Sequence, residues 1–173
     1  MNRTKGFTLI ELLVSIAIII ASATIVVAII SATFRSSNKT TSVDQVRQSG
    51  NNALNQISKM IQFADDFQSA FDGAHDVSFC PVTEEEYEKI ALVVNGVTRE
   101  IACGENTLTL DGKSLFDNNN VLLSSCSLTC SQRRYSESPV IGVSFDLSRL
   151  GTLTESNVSE SFSKKIKMRN INQ

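Results

Sequence analysis

The sequence predicts an α+β fold: one long N-terminal helix, membrane-spanning in its first half, packed against a mostly antiparallel β-sheet domain. Three observations predict it. From Leu12 to Ala32 no residue carries a charge, and between Phe7 and Phe34 only Glu11 does. From Val43 onward apolar residues recur at threes and fours, the period of an amphipathic helix. Beyond residue 71 the period turns toward two, with turn signals between short runs. A chain of 173 residues leaves no room for a multidomain enzyme once its first 34 are set aside. The remainder can form one small core that gains from docking onto a helix or from covalent staples. Sixteen Lys and Arg against eighteen Asp and Glu give a net charge of −2, too balanced for net charge to drive nucleic-acid binding.

The uncharged run comes first. Its twenty-one residues, at about 1.5 Å each, make roughly 31 Å of helix, close to the hydrocarbon thickness of a bilayer. Ser15, Ser22, Thr24 and Ser31 are small hydroxyls that can bond back to the helix and allow close helix approach. Arg3 and Lys5 precede the run with nothing acidic beside them, which keeps the N-terminus in the cytoplasm and sends the rest of the chain across the membrane. Ala21-Ser22-Ala23 also fits a signal-peptide cleavage site, but the apolar run continues well past it. A plain single-span anchor gives no reason for Glu11, since a lone carboxylate at the start of an apolar run is costly unless paired.

Gly6-Phe7-Thr8-Leu9-Ile10-Glu11-Leu12-Leu13-Val14 resembles the type III signal of type IV pilins and of the pseudopilins of type II secretion. The resemblance implies a pilin-like fold and cleavage by a prepilin peptidase between Gly6 and Phe7, followed by methylation of Phe7. It also implies that Glu11 pairs with the N-terminal ammonium of Phe7 on a neighbouring subunit. Physical chemistry supports that role, because a carboxylate and an ammonium in an apolar filament core are tolerable only when paired and hydrogen-bonded. The implied division is a leader over 1–6, a transmembrane and filament-core helix over 7–34, an amphipathic continuation over 35–70, and an extracytoplasmic sheet domain over 71–173. Many major pilins carry a kinking proline where this chain has Ala28, and only Pro81 and Pro139 occur at all. That departure and the irregular loops favour a minor pilin or minor pseudopilin.

After Phe34 a polar stretch, Arg35 to Ser42, marks the exit from lipid. The stripe that follows includes Val43, Val46, Gly50, Ala53, Ile57, Ile61, Ala64 and Phe67. A continuous helix from Phe7 to Gln68 would be roughly 93 Å long. Gly50-Asn51-Asn52 is its weakest part and reads as a kink or flexible point. Phe71 to Asp76 reads as the exit from the helix.

Strands are predicted over Val77–Cys80, Tyr87–Val94, Val97–Cys103, Leu108–Leu110, Ser114–Phe116, Val121–Leu123, Val140–Leu147 and Ser161–Met168. From these eight candidate runs five to seven strands are expected, mostly antiparallel. Asn95-Gly96 is a type I′ hairpin signal and Asp111-Gly112 a second turn. Loops fall over 117–120, 124–138 and 148–160. The last strand should turn Phe162, Ile166 and Met168 inward and its charges outward, as a protected edge.

Cys80, Cys103, Cys126 and Cys130 all lie in the exported part, where an even count favours disulfides. Of three pairings, the preferred one joins Cys80 to Cys103 across neighbouring strands and Cys126 to Cys130 around a small loop. Zinc is disfavoured because no Cys-x2-Cys occurs. His75 lacks a nucleophile at any familiar spacing and reads as a loop residue. Asp72, Asp76 and the Glu84-Glu85-Glu86 run match no calcium loop, and Asp117 followed by three asparagines has too few acids. No cofactor, metal or catalytic residue is implied, and the chain is not read as an enzyme. With no phosphate-binding loop present, assembly energy would come from a separate ATPase on an inner-membrane platform.

The leading functional reading is a structural subunit of a type IV pilus, secretion pseudopilus or competence-type filament. Its implied partners are a prepilin peptidase, membrane lipid and other pilins or pseudopilins through the N-terminal helices. The alternative is a filament-presented binding module for DNA or a surface. That alternative requires Lys164, Lys165, Lys167 and Arg169 to converge with Arg133 and Arg134 on one face.

Overall fold

The computed structural model describes residues 7–117, 121–134, 137–149 and 157–169. Helix α1 spans Leu9–Gln62 without a break. Ten strands follow: β1 (Asp66–Phe71), β2 (Asp76–Val77), β3 (Glu85–Tyr87), β4 (Lys89–Val94), β5 (Val97–Cys103), β6 (Leu108–Leu110), β7 (Lys113–Ser114), β8 (Leu122–Ser131), β9 (Val140–Arg149) and β10 (Val158–Lys167). They form two antiparallel sheets, one ordered β2-β1-β4-β5-β6-β7 and the other β10-β9-β8-β3. A long N-terminal helix packed on an antiparallel sheet domain is a pilin-like architecture.

The helix buries Ser42, Val46, Gly50, Ala53, Ile57 and Ile61, steps of three and four that keep one face on β10 and β9. Fully burying Ile57 or Ile61 contributes about 1.5–3 kcal/mol each. Leu92, Ile101 and Leu108 of the first sheet and Leu128, Ile141, Phe145 and Leu147 of the second complete the same core. Phe145 lies between Phe162, 5.3 Å away and stacked, and Phe116, 5.4 Å away and tilted.

The helix ends at Gln62 rather than Gln68, and residues 66–71 form a strand. Phe63 closes the last turn, its N–H donating to the Lys59 carbonyl, and the Asp65 N–H already donates to the Val93 carbonyl at 2.7 Å. Pairing with β4, Asp66 opposite Val93 and Phe67 opposite Leu92, thus replaces the helical bonds. Gly50 is no kink. A Cβ there would overlap the Phe162 ring, so the glycine serves close packing of β10 on the helix.

Asn95 and Gly96 have φ of 51° and 75°, the left-handed pair that a type I′ turn demands, and Asp111 and Gly112 repeat it at 53° and 74°. Phe162, Ile166 and Met168 are buried as the pattern required. The predicted loop over 124–138 is corrected in its first half, because β8 runs on to Ser131. Val77–Cys80 shifts and shortens to Asp76–Val77, and Ser114–Phe116 shifts to Lys113–Ser114.

Candidate functional site

The helix from Leu9 to Thr41 projects from the domain with every described side chain exposed. At about 1.5 Å per residue that is roughly 50 Å of helix exposed along its length. Its start is fixed by Thr8, extended at φ −84° and ψ 149°, with Glu11 one turn in. The Glu11 carboxylate accepts the Thr8 backbone N–H at 3.5 Å and the Thr8 hydroxyl at 3.3 Å, both through Oε2. This reciprocal cap draws the carboxylate to the positive end of the helix dipole, the position where a negative charge is best tolerated. Phe7 is exposed immediately before the cap, and Gly6 lies outside the described residues.

Within the uncharged run three of the four hydroxyls bond back to the helix. Ser15 donates to the Glu11 carbonyl at 2.7 Å, Ser22 to Ile19 at 2.9 Å and Thr24 to Ala21 at 2.8 Å. With those groups satisfied internally, the segment presents an apolar cylinder on all sides, Leu9, Ile10, Ile18, Ile20, Val27 and Phe34 included. Such a surface is stable only in lipid or among other apolar helices. Among the described residues this is the one helix long and apolar enough to cross a membrane. Thr40 and Thr41 close the polar collar on the Ser36 and Ser37 carbonyls, and Ser42 is the first buried position.

All four cysteines are paired, Cys80 with Cys130 and Cys103 with Cys126. The expected pairing of Cys80 with Cys103 and of Cys126 with Cys130 is corrected. Cys126 and Cys130 lie on one strand about 13 Å apart, at roughly 3.3 Å per residue, beyond any disulfide's reach. Both bonds therefore leave β8, one for Cys103 on β5 of the first sheet and the other for Cys80 in the connection between β2 and β3. The signal was present in Ser125-Cys-Ser-Leu-Thr-Cys-Ser131, a strict alternation obscured by the low strand propensity of serine.

The cations of the last strand are split between faces. Lys165 and Lys167 point with Ser161 and Ser163 to the outer side, whereas Lys164 shares the period of Phe162 and Ile166 and emerges at the open edge of β10. Lys165 is tied to Glu84 Oε2 at 2.6 Å. The register Lys167, Val140, Ser131 carries Lys167 to the same end of the sheet as Arg133 and Arg134, and Arg169 follows β10 there.

The acidic run is engaged rather than free. Glu84 also accepts the Thr129 hydroxyl at 2.7 Å, Glu85 the Tyr87 hydroxyl at 3.3 Å and Glu86 the Ser127 hydroxyl at 3.1 Å. The hydrogen bond from Lys165, then that from Thr129, holds the Glu84 carboxyl below its ordinary range. Gly142 makes room for this brace, since a Cβ there would overlap the Thr129 hydroxyl. His75 is exposed, its Nδ1 3.8 Å from Asp72. Asp72 accepts the backbone N–H groups of His75 and Ala74, which lower its pKa. Among the described residues no group of three or more His, Cys, Asp or Glu could hold a metal ion.

Residues 1–30 match the prokaryotic N-terminal methylation motif, a span that includes the Glu11 cap and most of the apolar run. No curated protein and no solved structure matches the chain.

Proposed function

We propose that this chain is a structural subunit of a type IV pilus, a type II secretion pseudopilus or a competence-type filament, a minor pilin or minor pseudopilin contributing to assembly or to the tip. The observation that carries the reading is the projecting apolar helix that begins in a methylation motif and has no cover of its own. In this reading a prepilin peptidase cuts between Gly6 and Phe7 on the cytoplasmic side and methylates Phe7. The subunit waits as a single-pass inner-membrane protein with its sheet domain extracytoplasmic. It then enters the filament by exchanging lipid for neighbouring helices, driven by a platform and a separate ATPase.

Glu11 gives that exchange a register. In the isolated chain its carboxylate is held by Thr8 through long contacts, which a stronger donor can displace. The ammonium of a neighbour's Phe7 is such a donor, and one pairing position per subunit would fix the axial stagger.

The test is intact mass and N-terminal sequencing of the chain expressed with a prepilin peptidase in membranes. A chain beginning at methylated Phe7 is expected. An intact Met1, or a start near Thr24, would return the protein to the anchored or secreted classes.

A further inference from the structure

Past the end of β8 the chain forms a two-walled cleft that the filament reading leaves unused. Phe79, Pro81 and Val82 make one wall, and Gln132, Arg133 and Arg134 the other, enclosing about 260 Å³. The walls are pinned. The Cys80–Cys130 disulfide joins them at the base, and the Gln132 N–H donates to the Pro81 carbonyl at 2.7 Å. Gln132 Nε2 further donates to the Glu137 carbonyl at 2.6 Å. Phe79 is 50% exposed and Val82 73%, large apolar surfaces for positions held this firmly. Arg133 and Arg134 are exposed and belong to none of the five ion pairs among the described residues.

The cleft also has a definite direction. Arg47 pairs with Glu160 and Gly50 packs against Phe162, so β10 runs alongside the helix away from the membrane segment. The register from Lys167 through Val140 to Ser131 then puts the cleft at the membrane-distal end, with Lys167 two strands away.

We infer that this cleft is a docking site for an acidic segment of a partner protein, which seats an apolar side chain against Phe79 and Val82 and carboxylates on Arg133 and Arg134. Guanidinium groups match carboxylates in a planar, bidentate fashion, and arginine beside an aromatic ring is the composition that anchors interfaces. Pinned walls lose little freedom on binding. The volume suits one side chain and its flanks, not a polymer track. A nucleic acid would need a continuous basic path, whereas Lys165 is engaged by Glu84 and Lys164 lies on the opposite face. The inference does not rest on the filament reading, because the cleft is present whichever machine the chain serves.

The test uses the full chain in dodecylmaltoside micelles on an array of heptapeptides, each with a central Leu or Phe flanked by Asp and Glu, by Asn and Gln, or by Lys. Oligothymidylate is spotted on the same array. Acid-flanked peptides are expected to bind at least about tenfold more tightly than their amide counterparts, and the Arg133→Ser/Arg134→Ser variant should lose that preference. Val82→Ser should weaken binding without restoring the amide-flanked peptides. Equal binding of acid- and amide-flanked peptides, a preference surviving in the double arginine variant, or stronger retention on oligothymidylate would each overturn the assignment.

Discussion

Gly50 is required by its neighbour rather than by its own backbone. An alanine there gains about 1 kcal/mol in helix propensity, yet its Cβ would fall inside the Phe162 ring. Gly50→Ala is therefore expected to destabilise the domain by about 1–3 kcal/mol, measured by thermal unfolding of the full chain in detergent, with Phe162→Leu recovering part of the loss. A neutral result would mean that helix and β10 separate at no cost. Read from sequence alone, a glycine followed by two asparagines signals weakness, because propensity is local while the contact that uses the glycine comes from far along the chain. Ser58 presents the opposite case. Its hydroxyl is buried with no hydrogen-bond partner, and Ser58→Ala should raise stability by about 1 kcal/mol in the same assay.

Among the elements, those with local chemistry were legible and those decided by distant pairing were not. The β4–β5 and β6–β7 hairpins follow from Asn95-Gly96 and Asp111-Gly112, whose left-handed φ values the residue types themselves favour. The helix end carried no glycine or proline to announce it. Ala64 and Phe67, three apart, continue the helical spacing, and only the pairing of Phe67 with Leu92 of β4 decides for a strand. β8 was half hidden by its serines. The outer brace of β10 offers a titration test. Lys165 and Thr129 make Glu84 more acidic in the folded chain than its ordinary 4.5, so its contribution is complete above that pH and is lost as pH falls below it. The stability gap between wild type and Lys165→Met should accordingly stay constant above about pH 5 and close on acidification. A gap unchanged in acid would show that the ion pair is not its source.

For the whole molecule, the shared core and the Cys103–Cys126 bond hold the two sheets together, and Cys80–Cys130 ties the segment between β2 and β3 to β8. Peptide mapping of the oxidised chain should recover Cys80 with Cys130 and Cys103 with Cys126, and any other pairing would overturn the arrangement of the two sheets. With sequence separations of 50 and 23, replacing each pair by serine should cost about 4 and about 3 kcal/mol. In the proposed filament, assembly would depend on the other end of the chain. Glu11→Ala is expected to leave peptidase processing intact and to reduce incorporation, scored in sheared filaments; normal incorporation would remove the pairing role. The nesting of the smaller loop inside the larger also sets how the chain bears tension. Drawn out from its two ends, the chain extends only to the outer bond, which withholds 50 residues, roughly 170 Å of contour at about 3.4 Å each. Under load the domain behaves as a tether of fixed length, and the inner bond takes no strain until the outer one is reduced.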